Sequence, residues 1–166
     1  MSRPFKAVVL GVLFTAGPGL RAEPASLGPF RQEVGALQKA VACTGKTTPA
    51  SPSYGLGALW GCIKGRAETA KLFVNERPGT GYVENVKVMW NDWYKDRGYG
   101  VHADRAEARA ILDAVLTRYA PSRKQEVVSA FFANSGRVFQ EGPILLRYSY
   151  RRGPAIDERL LVIARQ

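Results

Sequence analysis

The sequence is poor in the residues that most catalytic and metal centres use. Its 166 residues include one histidine, His102, and two cysteines, Cys43 and Cys62. A lone histidine does not build an ordinary zinc site, and the carboxylates are not spaced as in an EF-hand loop. No Gly-x-Ser-x-Gly elbow, His-Glu-x-x-His pair or phosphate-binding glycine loop occurs. The glycines of Pro78-Gly-Thr-Gly81 read as a turn. No metal or cofactor is called for, and no catalytic set is assigned. Beyond the first residues nothing approaches about 18 uninterrupted apolar positions, so no transmembrane span is expected in the mature chain. Internal repeats are also lacking.

Acidic residues are scarce as well: 14 Asp and Glu stand against 24 Lys and Arg, a formal charge of +10. The first acid is Glu23. Before it, Arg3 and Lys6 precede an apolar run from Ala7 to Ala16, Gly17-Pro-Gly19 breaks the run, and Leu20-Arg-Ala22 offers a cleavage site. Residues 1–22 therefore read as a secretory signal peptide. The rival is an uncleaved anchor, but the run as far as Leu20 reaches only about 21 Å as a helix, short of the roughly 30 Å hydrocarbon layer. Cleavage leaves about 144 residues, still basic at about +7, for the periplasm or the extracellular space. There an anionic envelope polymer, a glycan or another envelope protein is the expected partner, and nucleic acid is not.

In an oxidising compartment Cys43 and Cys62 read first as a disulfide. The loop between them holds the flexible stretch Thr47-Thr-Pro-Ala-Ser-Pro-Ser53. A metal or redox site is the alternative, without a Cys-x-x-Cys spacing or a nearby histidine to support it.

Residues 23–29 read as a short tether and residues 30–166 as a single domain. Phe30, Val34, Leu37 and Val41 recur at helical spacing, as do Ala108, Ile111, Leu112, Val115, Leu116 and Tyr119. Asp104 and Glu107 read as a capping box for the second helix, and Ser122 opens a shorter third one. Ala70, Leu72 and Val74 alternate with polar neighbours, as do Val86, Val88 and Trp90, with a turn cluster at Arg77–Gly81, so the pair reads as a hairpin. Two or three strands follow Gly136, and Leu160-Leu-Val-Ile163 suits a central strand covered on both sides. Gly55–Cys62 is assigned to loop or short helix. The expected class is α+β: an antiparallel sheet of four to five strands with about three helices packed mainly on one face.

Two surfaces are candidates for function. One is the segment from Trp90 to Asp104, where Trp93, Tyr94, Asp96 and His102 gather aromatic and polar groups at a strand-to-helix junction. Trp90 and Asp104 are better read there as core and cap. The other is the sheet face that carries Lys71, Lys87, Arg147 and Arg151, with Arg152 and Arg159 nearby. Such charges also mark the ordinary solvated side of a half-buried sheet. The reading that joins these features is a small non-enzymatic binding or accessory protein of the cell envelope. A hydrolase using His102 with Asp92 or Asp96 is one alternative, and a structural subunit of an envelope assembly is another.

Overall fold

The computed structural model describes residues 27–166. The export signal read over residues 1–22 lies outside the described residues. Helix α1 (Phe30–Val41) leads into β1 (Lys46–Thr48), β2 (Leu59–Lys64), β3 (Ala70–Glu76) and β4 (Val83–Trp93). Helices α2 (Arg105–Tyr119) and α3 (Lys124–Phe131) follow, and β5 (Arg137–Glu141), β6 (Ile144–Arg152) and β7 (Ile156–Arg165) complete the chain. The strands form one sheet in the order β1-β2-β3-β4-β7-β6-β5. Every neighbouring pair is antiparallel.

The antiparallel α+β class stands, but the sheet has seven strands, not four to five. All three C-terminal strands are present, and β1 and β2 come from the stretch read as loop. Gly61 hid β2, because glycine packs no side chain on a pleated surface. Tertiary packing supplies what it lacks. Trp60 and Cys62 are buried on the core face, and the Phe73 ring of the next strand lies so close that a Cβ on Gly61 would meet it at 3.1 Å.

One face of the sheet is covered. Leu72, Val74, Val86, Val88, Trp90, Leu146, Leu161 and Ile163 meet the apolar stripes of the helices there, including Leu37, Ile111, Leu112, Val115, Leu116 and Phe131. Leu27, ahead of α1, is buried in the same core. Between α1 and α2 the buried carboxylate of Glu33 accepts two hydrogen bonds of 2.6 Å from the Arg118 guanidinium and a third from the Tyr119 hydroxyl. Burial, and then this bond, push the Tyr119 hydroxyl well above its ordinary pKa.

Two local expectations change. Strand β7 is central, between β4 and β6, yet of the run Leu160–Ile163 only Leu161 and Ile163 are buried; Leu160 and Val162 are half-buried on the face away from the helices. Asp104 does not cap α2. Its backbone is left-handed, with φ 58°, and its carboxylate turns away to accept the amides of Ala67 (3.3 Å) and Thr69 (3.0 Å). It lies against Gly65, where a Cβ would collide with it. The β2–β3 connection thus takes the side chain that the helix was expected to use.

Cys43, just past α1, is bonded to Cys62 on β2, with 6.2 Å between their Cα atoms. The bridge pins the helix to a short, glycine-interrupted strand near one edge of the sheet. Reducing it, or changing both cysteines to serine, should cost about 3 kcal/mol for a loop of this length. Urea unfolding with and without reductant checks this; equal stabilities would show that the loop is ordered without the bond.

Candidate functional site

Strand alternation puts Lys71, Lys87, Arg147 and Arg151 on the face away from the helices, as the sequence suggests. The register turns them into a pattern. One row across the sheet reads Lys46, Gly61, Phe73, Lys87, Val162, Arg147, Val138. The next reads Ile63, Lys71, Met89, Leu160, Ser149. From Phe73 to Val138 the first row alternates apolar side chains with cations, and the second sets Lys71 among Ile63, Met89 and Leu160. Phe73, Met89, Leu160 and Val162 are half-buried by these neighbours, and Ile63 and Val138 are exposed. Among the described residues, Lys46, Lys71, Lys87, Arg147 and Arg151 make no side-chain hydrogen bond or ion pair. Glu158 is the acid of the following row, between Asn91 and Arg151. Sequence reading did not find Lys46, because β1 was not recognised as a strand.

Arg159, expected near this face, lies on the other one. It is 5% exposed and sits between its cross-strand neighbours Trp90 and Tyr150, 5.6 and 5.0 Å from their ring centres. Arg152 shares its side by register. The Arg159 guanidinium donates to Asp92 (3.2 Å), to the carbonyls of Phe131 (3.2 Å) and Ala133 (2.7 Å), to the Tyr148 hydroxyl (3.2 Å) and to Asn134 (2.9 Å). Burial raises the Tyr148 pKa, and that hydroxyl donates in turn to Ala133. Beside this cluster, Tyr150 donates to Asp157 at 2.7 Å, and the bond raises its own pKa. The other Asp157 carboxylate oxygen is buried without a partner.

The second oxygen of Asp92 accepts from His102 Nδ1 at 2.7 Å. The His102 side chain is 47% exposed, and its backbone takes the left-handed φ of 57°. A buried carboxylate that orients a half-exposed imidazole is the base-and-orienter part of a hydrolytic site. Among the described residues no serine, threonine or cysteine side chain hydrogen-bonds to His102. Asp96 is engaged elsewhere: one of its oxygens accepts the amides of Gly98 (2.7 Å) and Gly100 (2.8 Å), which hold its carboxyl below the usual range.

The aromatic loop is therefore divided between two sides. Trp90 is core, with its indole N–H on the Ala103 carbonyl. Tyr94 donates to Gly153 at 2.7 Å and ties the loop to the β6–β7 turn. His102 stays with Asp92 on the helix side. Trp93 ends β4 on the open face, two positions beyond Asn91, so the loop and the basic face meet there. Arg97 lies over the Trp93 ring at 5.7 Å and Arg66 over the Tyr99 ring at 5.8 Å. Neither arginine was a candidate from sequence. Arg159 had left a signal: with Asp157 it falls on the parity of Leu161 and Ile163, and a charge in phase with a core face needs a buried partner.

No family model matches the chain, and no curated protein and no solved structure matches it significantly.

Arg159→Met leaves Asp92 buried without its guanidinium and should cost about 3–5 kcal/mol. His102→Ala, at the exposed end of the network, should cost no more than about 1 kcal/mol. Urea denaturation of both variants tests the ranking, and a reversed order would place the support of the fold in His102.

Proposed function

We propose that the protein is an exported, non-enzymatic binding protein of the cell envelope, and that its open sheet face takes an acidic protein partner. The observation that carries this reading is the mixture of unpaired cations and half-buried apolar side chains across an uncovered sheet. A solvated face kept only for solubility has no need of Phe73, Met89, Leu160 and Val162 between its charges. A partner that presents acids and apolar side chains together would pair the one and bury the other. A hydroxyl-rich glycan would answer the cations and leave the aliphatic groups without a complement. A second copy of this basic chain would set like charges against each other. Export is supported by the signal-like N-terminus and by the disulfide. Among the described residues, no helix is long and apolar enough to cross a membrane.

One observation favours a second reading, a hydrolase: the 2.7 Å contact between His102 and Asp92. It supplies a base and its orienter, without a nucleophile in contact. Hydrolysis of any ester or glycan substrate that is abolished by His102→Ala would establish it.

The binding reading is tested by affinity capture from envelope extract, comparing the natural protein with Lys87→Glu/Arg147→Glu and Leu160→Ser/Val162→Ser. Both variants should lose the partner by about tenfold or more, and capture by the natural protein should weaken as salt rises. A partner held equally by the charge-reversed variant would sink the reading.

A further inference from the structure

The two edges of the sheet are not alike. At one, β1 has three residues and runs into Pro49, which limits what can be added to it. At the other, β5 is a five-residue strand, Arg137-Val-Phe-Gln-Glu141, in unbroken register and without proline. We propose that β5 pairs antiparallel with β5 of a second copy of this chain, about a two-fold axis at Phe139, and joins the two sheets edge to edge.

Three observations carry the inference. First, the edge has free backbone groups where the pairing needs them. The Gln166 amide donates to the Pro143 carbonyl at 2.9 Å, so the neighbouring pair Ile144 and Arg165 exchanges no hydrogen bonds between β6 and β7. Ile144 therefore turns its amide and carbonyl toward β5, as do Leu146 and Tyr148, to meet Glu141, Phe139 and Arg137. By alternation Val138 and Gln140 point theirs outward, away from the sheet. Both residues are exposed, and among the described residues nothing bonds to these outward groups. A two-fold axis at Phe139 sets Val138 opposite Gln140 of the second copy, and each outward amide meets an outward carbonyl.

Second, the charges are self-complementary. The same axis sets Arg137 opposite Glu141 of the second copy, and Glu141 opposite its Arg137. Among the described residues neither has an ion pair. Arg137 lies over the Phe139 ring at 5.6 Å, and Glu141 accepts only the amides of Ser122 (3.3 Å) and Arg123 (3.2 Å). A parallel pairing in register would set like charges side by side instead. Third, edge pairing avoids the repulsion that two open faces would meet. The row that ends in Arg147 and Val138 would continue into Gln140 and Leu145 of the second copy, with no cation opposite another. On the helix side Phe139 meets its symmetry mate, an aromatic cross-strand pair. The open faces stay uncovered, side by side.

The test is sedimentation equilibrium of the protein from about 5 µM to about 0.5 mM, a range that reaches weak, short interfaces. A concentration-dependent shift from monomer to dimer is expected. Arg137→Glu and Glu141→Arg should each weaken it by about tenfold or more, because each sets like charges opposite one another. The double variant Arg137→Glu/Glu141→Arg should regain the dimer. So should an equal mixture of the two single variants, in which positions 137 and 141 are again opposite in sign across the axis. Val138→Pro removes an outward amide that the fold does not use, and should leave a folded monomer. Circular dichroism confirms that each variant folds. Leu160→Ser/Val162→Ser, on the open face, should stay within about twofold, so this contact and the docking reading above fail separately. A monomer throughout the range, a dimer unchanged by Val138→Pro, or no recovery in the double variant and the mixture overturns the proposal.

Discussion

A guanidinium withdrawn from water needs its donors met and its charge answered, and Arg159 draws both from well-separated parts of the chain. Asp92 on β4 supplies the charge, Tyr148 on β6 a hydroxyl, Phe131 at the end of α3 and Ala133 just past it a carbonyl each, and Asn134 an amide oxygen. The carbonyls matter because the last turn of a helix leaves such groups without internal partners. A buried charge is costly unless satisfied in this way, so the cluster is selective about register. With β7 slipped by one residue against β4, Arg159 would move to the open face and Asp92 would be left buried and unanswered. The positions of the β4–α2 loop, through His102, and of the α3–β5 connection, through Ala133 and Asn134, follow from the same residue.

That register also decides what faces solvent. With Arg159 and Asp157 turned inward, the open side of β7 shows Glu158, Leu160 and Val162, and its neighbours bring Lys87, Met89, Arg147 and Ser149 into line with them. Seven strands spaced about 4.8 Å apart make a surface nearly 30 Å across, wide enough for a protein partner. Trp93, with Arg97 over its ring, stands where this surface passes into the β4–α2 loop.

Much of this was legible in the residues. The stripe on α2 is buried at every position from Ala108 to Leu116 that its spacing marks, the β3–β4 hairpin lies where two alternating runs flank a turn cluster, and Cys43 is bonded to Cys62. Lys71, Lys87, Arg147 and Arg151 share a face because each is in phase with its own strand. Strands β1 and β2 were missed, since one is three residues long and the other is broken by Gly61. Asp104 misled because a capping signature says nothing of competing amide donors some 35 residues back. The predicted aromatic site was too coarse, since Trp93 and His102 lie on opposite sides of the sheet's end.

By itself the sequence determined which side chains share a face, which segments turn and which cysteines could meet, because helical and strand periodicities are properties of neighbouring residues. Only the tertiary structure decided the strand order, which face the helices cover and what answers each buried charge. Those outcomes join positions such as Asp92 and Arg159, 67 residues apart, and Glu33 and Arg118, 85 apart. No local pattern encodes such a pairing; it is set by which arrangement leaves the fewest polar groups unsatisfied once the apolar faces have come together.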